Sequence, residues 1–117
     1  MADARTPYIL VLSLRPDLLE PTAWKPEERD AVGAHFAMLQ REAAAGRVLL
    51  AGRSDDRDAQ GRLHSDVIGV GIFLAGSREE ADAFVADDPA VKAGVMSVRV
   101  HKFNLAAHAD PATWAAL

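Results

Sequence analysis

The 117 residues contain no cysteine. That excludes disulfides, thiolate zinc sites and a cysteine nucleophile, and it suits a reducing compartment. Basic residues are outnumbered, 13 Lys and Arg against 17 Asp and Glu for a net charge of -4, and aromatics make up only 6%. No stripe of arginines interleaved with aromatics is present to follow a phosphate backbone, so nucleic acid is not an expected partner. Long apolar runs are also missing. The stretch "YILVL" near the start is too short for a membrane span or a signal h-region. These absences lead us to expect a soluble, cytoplasmic protein with no membrane partner. What is present is a chain that is 50% hydrophobic, a length and composition suited to one domain around one core. We read residues 1–117 as that single domain, with a core of about 8–104 and a tail from 105 to 117.

"YILVLSL" (8–14) is β-branched and aromatic enough for a strand, with Tyr8, Leu10 and Leu12 on one face and Ile9 and Val11 on the other. A strand apolar on both faces is covered on both. Pro16, Pro21 and Pro26 exclude a regular element through "RPDLLEPTAWKP", leaving Trp24 in a loop, while Pro26, Glu27 and Glu28 can open a helix. From Glu27 to Ala45 the spacing of Val32, Phe36, Leu39 and Ala43 is helical, and Gly46 offers a left-handed stop. "RVLLAG" (47–52) and "DVIGVGIFLA" (66–75) are strands joined by a polar connection. Ser77 and Glu80 form a capping box for a second helix through Ala81, Phe84 and Val85, and "VMSVRVHKF" (95–103) is the last strand. The tail, which holds Trp114, is expected to be short helix or coil.

Strand, helix, strand, strand, helix, strand is the ferredoxin-like α+β arrangement, βαββαβ, in which the first and third strands are central. Two helices cover one face of such a sheet, yet the central strands are apolar on both. Another copy packed sheet to sheet is the simplest cover, which predicts a homodimer; a barrel closed by the tail is the alternative.

The segments "AHFAML", "AAAGRVLLAG" and "EEADAFVADDPAVKAGVMSVRVHKF" resemble those of the YciI-like, or YCII-related, proteins over roughly residues 8–104. The resemblance implies a dimeric α+β barrel and a site made of a histidine on the first helix and the aspartate before the proline. By motif these are His35 and Asp88. The chain departs from the common pattern at Ala90, where an aromatic often stands, at Arg53, where a proline often stands, and in segment 15–26, which resembles an insertion. These departures bear on the pocket wall more than on the fold.

Each candidate also has a plain structural role. Asp88 is pushed out of helical conformation by Pro89 and can cap the turn "PAVKAG", an arrangement worth about 1 kcal/mol. One of its oxygens would still be free for an imidazole. His35 sits at the edge of the apolar stripe, half-buried, where a histidine is more often a boundary residue than a catalyst. Together, Asp88 would orient the imidazole and His35 would move protons near neutral pH. Arg53, after the second strand, and His101, beside Arg99 on the last, are candidates for binding an anionic substrate. Asp87 reads as a solvated helix-end charge, His64 and His108 as surface residues, and Trp24 and Trp114 as packing anchors. "DRDAQGRLHSDV" steps like a calcium loop but has Val67 where the bidentate glutamate belongs, and no metal or cofactor is expected. Two functions remain open: a cofactor-free isomerase- or lyase-type enzyme acting on a small metabolite, or a non-catalytic dimeric ligand- or partner-binding module.

Overall fold

The computed structural model describes residues 5–115 and residue 117. Along the chain lie β1 (Thr6–Leu14), α1 (Pro26–Ala44), β2 (Val48–Arg53), β3 (Val67–Ala75), α2 (Arg78–Ala86), α3 (Pro89–Lys92), β4 (Met96–Lys102) and α4 (Pro111–Ala115). The strands make one antiparallel sheet in the order β2-β3-β1-β4. β1 and β3 are therefore central, and the arrangement is ferredoxin-like α+β.

Alternation along β1 decides which face meets the helices. Tyr8, Leu10, Leu12 and Leu14 are buried on the helix side, in register with Phe73, Gly71 and Gly69 of β3 and with Val100, Val98 and Met96 of β4. Phe73 is fully buried and stacks on Phe84 of α2 with ring centroids 4.8 Å apart. The glycines of β3 let the β1 leucines lie across its backbone: a Cβ on Gly71 would come within 3.2 Å of Leu10 Cγ, and one on Gly69 within 3.1 Å of Leu12 Cδ1.

Local chemistry fixes the helix ends. Pro26 opens α1, the Glu28 carboxylate accepts the Lys25 backbone N–H at 2.8 Å, and Gly46 ends the helix at φ 82°. At α2 the Ser77 hydroxyl accepts the Glu80 N–H at 3.1 Å as a capping box requires. The Glu80 carboxylate reaches one residue further back than expected, to the Gly76 N–H at 3.1 Å.

The structure differs from the sequence reading in three respects. The proline-rich segment is ordered into two 3-10 turns, Pro16–Leu19 and Pro21–Ala23, each opened by its proline, the first anchored by the buried Leu18. α1 buries Glu28, His35 and Met38, while Phe36 stays 44% exposed, so the buried stripe is rotated from the expected one and His35 is buried rather than half-buried. In the tail, Trp114 of α4 is exposed, at 40%, and lies outside the core, so it is not the buried anchor expected. The other face of the sheet carries Ile9, Val11, Val70, Ile72 and Leu74, and no helix among the described residues packs on it. Among the described residues no helix is long and apolar enough to cross a membrane.

Candidate active site

Asp88 stands between two helices because of the residue that follows it. α2 ends at Asp87, still helical at φ -84° and ψ -4°, and the pyrrolidine of Pro89 holds Asp88 extended at φ -63° and ψ 127°. From there one carboxylate oxygen, Oδ1, accepts the Ala90 N–H at 2.8 Å and caps α3. The other, Oδ2, lies 2.5 Å from Nδ1 of His35 in the third turn of α1. Both the structural and the chemical roles foreseen for Asp88 fit the same side chain, one oxygen each.

A carboxylate only accepts, so Nδ1 of His35 carries the proton and the other ring nitrogen, Nε2, is the open position of the neutral ring. No group among the described residues hydrogen-bonds Nε2, and no buried polar side-chain atom there lacks a partner, so Nε2 is not sealed away. The imidazole lines a cavity of about 280 Å³ between α1 and the sheet. Its walls are apolar, from Leu10, Leu12, Leu39, Val48 and Met96 among others, and its polar lining groups are His35, Gln40 and Arg53. An apolar engineered cavity of about 150 Å³ already accepts benzene. A single-ring compound therefore fits.

The structure brings His35, Asp88 and Arg53 to one place. His101 is elsewhere: it pairs with Ile9 on the helix-free face of the sheet and lines neither this cavity nor the neighbouring one. Gln40 was missed by sequence reasoning, although it lies one turn after Phe36 on the same helix face, a spacing that points both at the cavity. The remaining polar candidates are peripheral. Asp87 is exposed and pairs with Lys92 at 2.7 Å. Asp58 accepts the Gln60 and Arg62 N–H groups, each at 2.9 Å, and so organises a turn. Among the described residues no cluster of three or more His, Cys, Asp or Glu could hold a metal.

The fold and site define a small α+β domain with a buried imidazole–carboxylate pair on an apolar pocket. The YCII-related domain family matches residues 7–104, and the chain belongs to that family. No curated protein gives a significant match. Among solved structures, the chain resembles 5-chloro-2-hydroxyhydroquinone dehydrochlorinase (TftG) from Burkholderia phenoliruptrix AC1100, in complex with 2,5-dihydroxybenzoquinone. That match has a TM-score of 0.61 and 22% identity over 84% of this chain and 93% of that one. A hypothetical protein from Arabidopsis thaliana, solved in solution, matches at a TM-score of 0.41 and 14% identity over 89% and 90% of the two chains.

Proposed function

We propose that this protein is a cofactor-free enzyme of isomerase or lyase type that moves protons on a small hydroxylated aromatic or carbonyl compound. In this reading His35 is the general acid and base and Asp88 its orienter. The observation that carries it is the 2.5 Å contact between His35 Nδ1 and Asp88 Oδ2, in a histidine that lines an apolar cavity and whose Nε2 has no hydrogen-bond partner among the described residues. Nε2 takes the proton of a ring hydroxyl, whose electron pair becomes a carbonyl, and the imidazolium returns the proton to a ring carbon. If that carbon bears a leaving group, loss of a second hydroxyl proton expels it with its bonding pair. No electrons enter or leave, so both outcomes are redox-neutral. Asp88 stabilises the imidazolium without itself taking the proton, and Arg53 would hold an anionic oxygen of the substrate. The dehydrochlorinase that shares this fold, bound to a dihydroxybenzoquinone, supports an eliminating reaction on such a ring.

The proposal includes a homodimer packed through the helix-free sheet face, where Ile9, Val11, Val70, Ile72 and Leu74 lie unaccompanied by a helix. His101 and Arg99 would then border the second subunit.

The experiment is to incubate 5-chloro-2-hydroxyhydroquinone and its unchlorinated parent with wild type, His35→Gln and Asp88→Asn, following chloride release and ring absorbance. We expect turnover in wild type and a loss of about 10²- to 10⁴-fold in His35→Gln, the usual contribution of a positioned general base. Equal turnover in wild type and His35→Gln would sink the reading. Binding without turnover in either protein would favour the ligand-binding module instead.

A further inference from the structure

Beside the first cavity lies a second, of about 260 Å³. The two share Arg53, Ile68 and Met96 as lining residues and are therefore adjacent. The second chamber is built by Leu18, Leu19 and Trp24 from the proline-rich stretch that resembles an insertion, and by Arg57 and Leu63 from the connection between β2 and β3. These two segments brace one another. The Leu63 N–H donates to the Leu19 carbonyl at 3.4 Å, and the indole N–H of Trp24 donates to the Leu18 carbonyl at 2.9 Å.

Its arginines are not alike. Arg57 is tied down, donating to Asp55 at 3.1 Å and to the Gly61 carbonyl at 2.9 Å. The guanidiniums of Arg29 and Arg53 line the chamber with no ion pair or hydrogen bond among the described residues. In the same chain Arg15, Arg47, Arg62 and Arg78 each have a carboxylate partner. Both are exposed, and two cations without a carboxylate partner on the rim of one hollow raise the local potential for an anion.

We propose that this chamber is a second subsite that takes a carboxylate arm of the substrate, held by Arg29 and Arg53, while the ring it is attached to lies against His35. The planar oxygens of a carboxylate match the guanidinium fork. The inference rests on the proton-transfer reading only for the ring's placement; the arm's binding stands by itself.

The test measures dissociation constants by calorimetry for hydroquinone, 2,5-dihydroxyphenylacetate and 3-(2,5-dihydroxyphenyl)propanoate. The proteins compared are wild type, Arg29→Gln, Arg53→Gln and Arg99→Gln. Arg99→Gln removes the same charge from the opposite sheet face. One or both acids should bind wild type about tenfold or more tighter than hydroquinone, the scale of a charge-assisted pair. Arg29→Gln, which lines the second chamber alone, should abolish most of that advantage and leave hydroquinone unchanged; Arg53→Gln, which lines both cavities, should weaken the acids by a larger factor than hydroquinone, with Arg99→Gln behaving as wild type. Acids that bind no better than hydroquinone, or do not bind, overturn the proposal. So does an equal loss in Arg99→Gln, which would make the effect one of net charge. Arginine-dependent binding of the acids without any turnover leaves the subsite standing and removes the proton-transfer reading.

Discussion

His35 Nδ1 and Asp88 Oδ2 meet at 2.5 Å across 53 positions of sequence, and the groups that meet are buried on both sides. Removing either charge-bearing group from water costs several kcal/mol, and a buried pair is weak evidence for stability on that account. A site that needs an oriented imidazole has a reason to bear the cost; a fold that needs only a helix cap does not.

Asp88→Asn separates those two roles. Asparagine caps a helix about as well as aspartate, so α3 should persist. The amide can present its N–H₂ to Nδ1, which reverses the tautomer and moves the proton to Nε2. We expect activity to fall by about 10²-fold or more, as when a triad aspartate is amidated, with little change in unfolding midpoint. Nitrogen-15 spectra of the His35 ring read the tautomer directly. An unchanged tautomer with full activity would remove Asp88 as orienter.

Pro89→Ala tests how the backbone aims that carboxylate. Without the ring, Asp88 is free to enter the helical region and α2 can run on towards α3. The substitution also raises the entropy of the unfolded chain, a loss of about 0.4–1 kcal/mol. Turnover should drop by more than that stability change implies. Proportionate small losses in both would show that the carboxylate finds its place without the proline.

How much of this could be read from sequence depends on the range of the interaction. Pro89, Gly46 and Ser77 act on residues within one turn, and the helix and strand ends they set are where local chemistry places them. The ferredoxin-like arrangement followed from the order strand, helix, strand, strand, helix, strand, and the two-sided apolar pattern of β1 and β3 fits their central places in the sheet. The depth of His35 was misjudged because Phe36, the larger apolar residue, stays half out over the cavity. Which helix face is buried depends on the sheet beneath it, and the glycines of β3 leave that space open only in three dimensions. Arg29 carries no local signal at all. It becomes informative when β2 brings Arg53 to the neighbouring wall.

Glu28 gives a pH dependence whose sign can be worked out. The Lys25 backbone N–H and then the Arg15 guanidinium hold its carboxyl below its ordinary value of 4.5. A depressed folded value means the stabilisation is whole above about pH 4.5 and is lost as pH falls through the lower folded value. Urea midpoints of wild type and Glu28→Gln should thus differ near neutrality and converge in acid. A gap that widened on acidification would contradict the assignment.

Gly71→Ala should destabilise by overpacking. Its Cβ would stand 3.2 Å from Leu10 Cγ and 3.3 Å from Leu10 Cδ1, on a leucine that is itself buried. Such insertions cost about 1–3 kcal/mol. Gly52→Ala, with nothing within 4 Å of the added carbon, is the control and should be close to neutral. Denaturant melts of the two variants make the comparison, and equal midpoints would mean that Leu10 repacks freely.

Ile72 raises a different question, since it is only 8% exposed on a face that no helix covers. Its neighbours across the sheet, Ile9 in β1 and Leu50 in β2, shield it from the sides. Val70 at 41% and Leu50 itself at 43% remain open to solvent. An apolar sheet face of this kind usually marks an interface, and an isologous pairing would let Val11 and Val70 meet their symmetry mates. Sedimentation velocity should give a dimer for wild type and a monomer for Val11→Lys and Val70→Lys, with circular dichroism unchanged. Val11 lines no part of the His35 cavity, so binding there should survive dissociation in Val11→Lys, while Val70 also borders the cavity and its lysine reports on assembly alone. A monomeric wild type would remove the second subunit from the proposal while leaving the His35–Asp88 chemistry to stand on its own geometry.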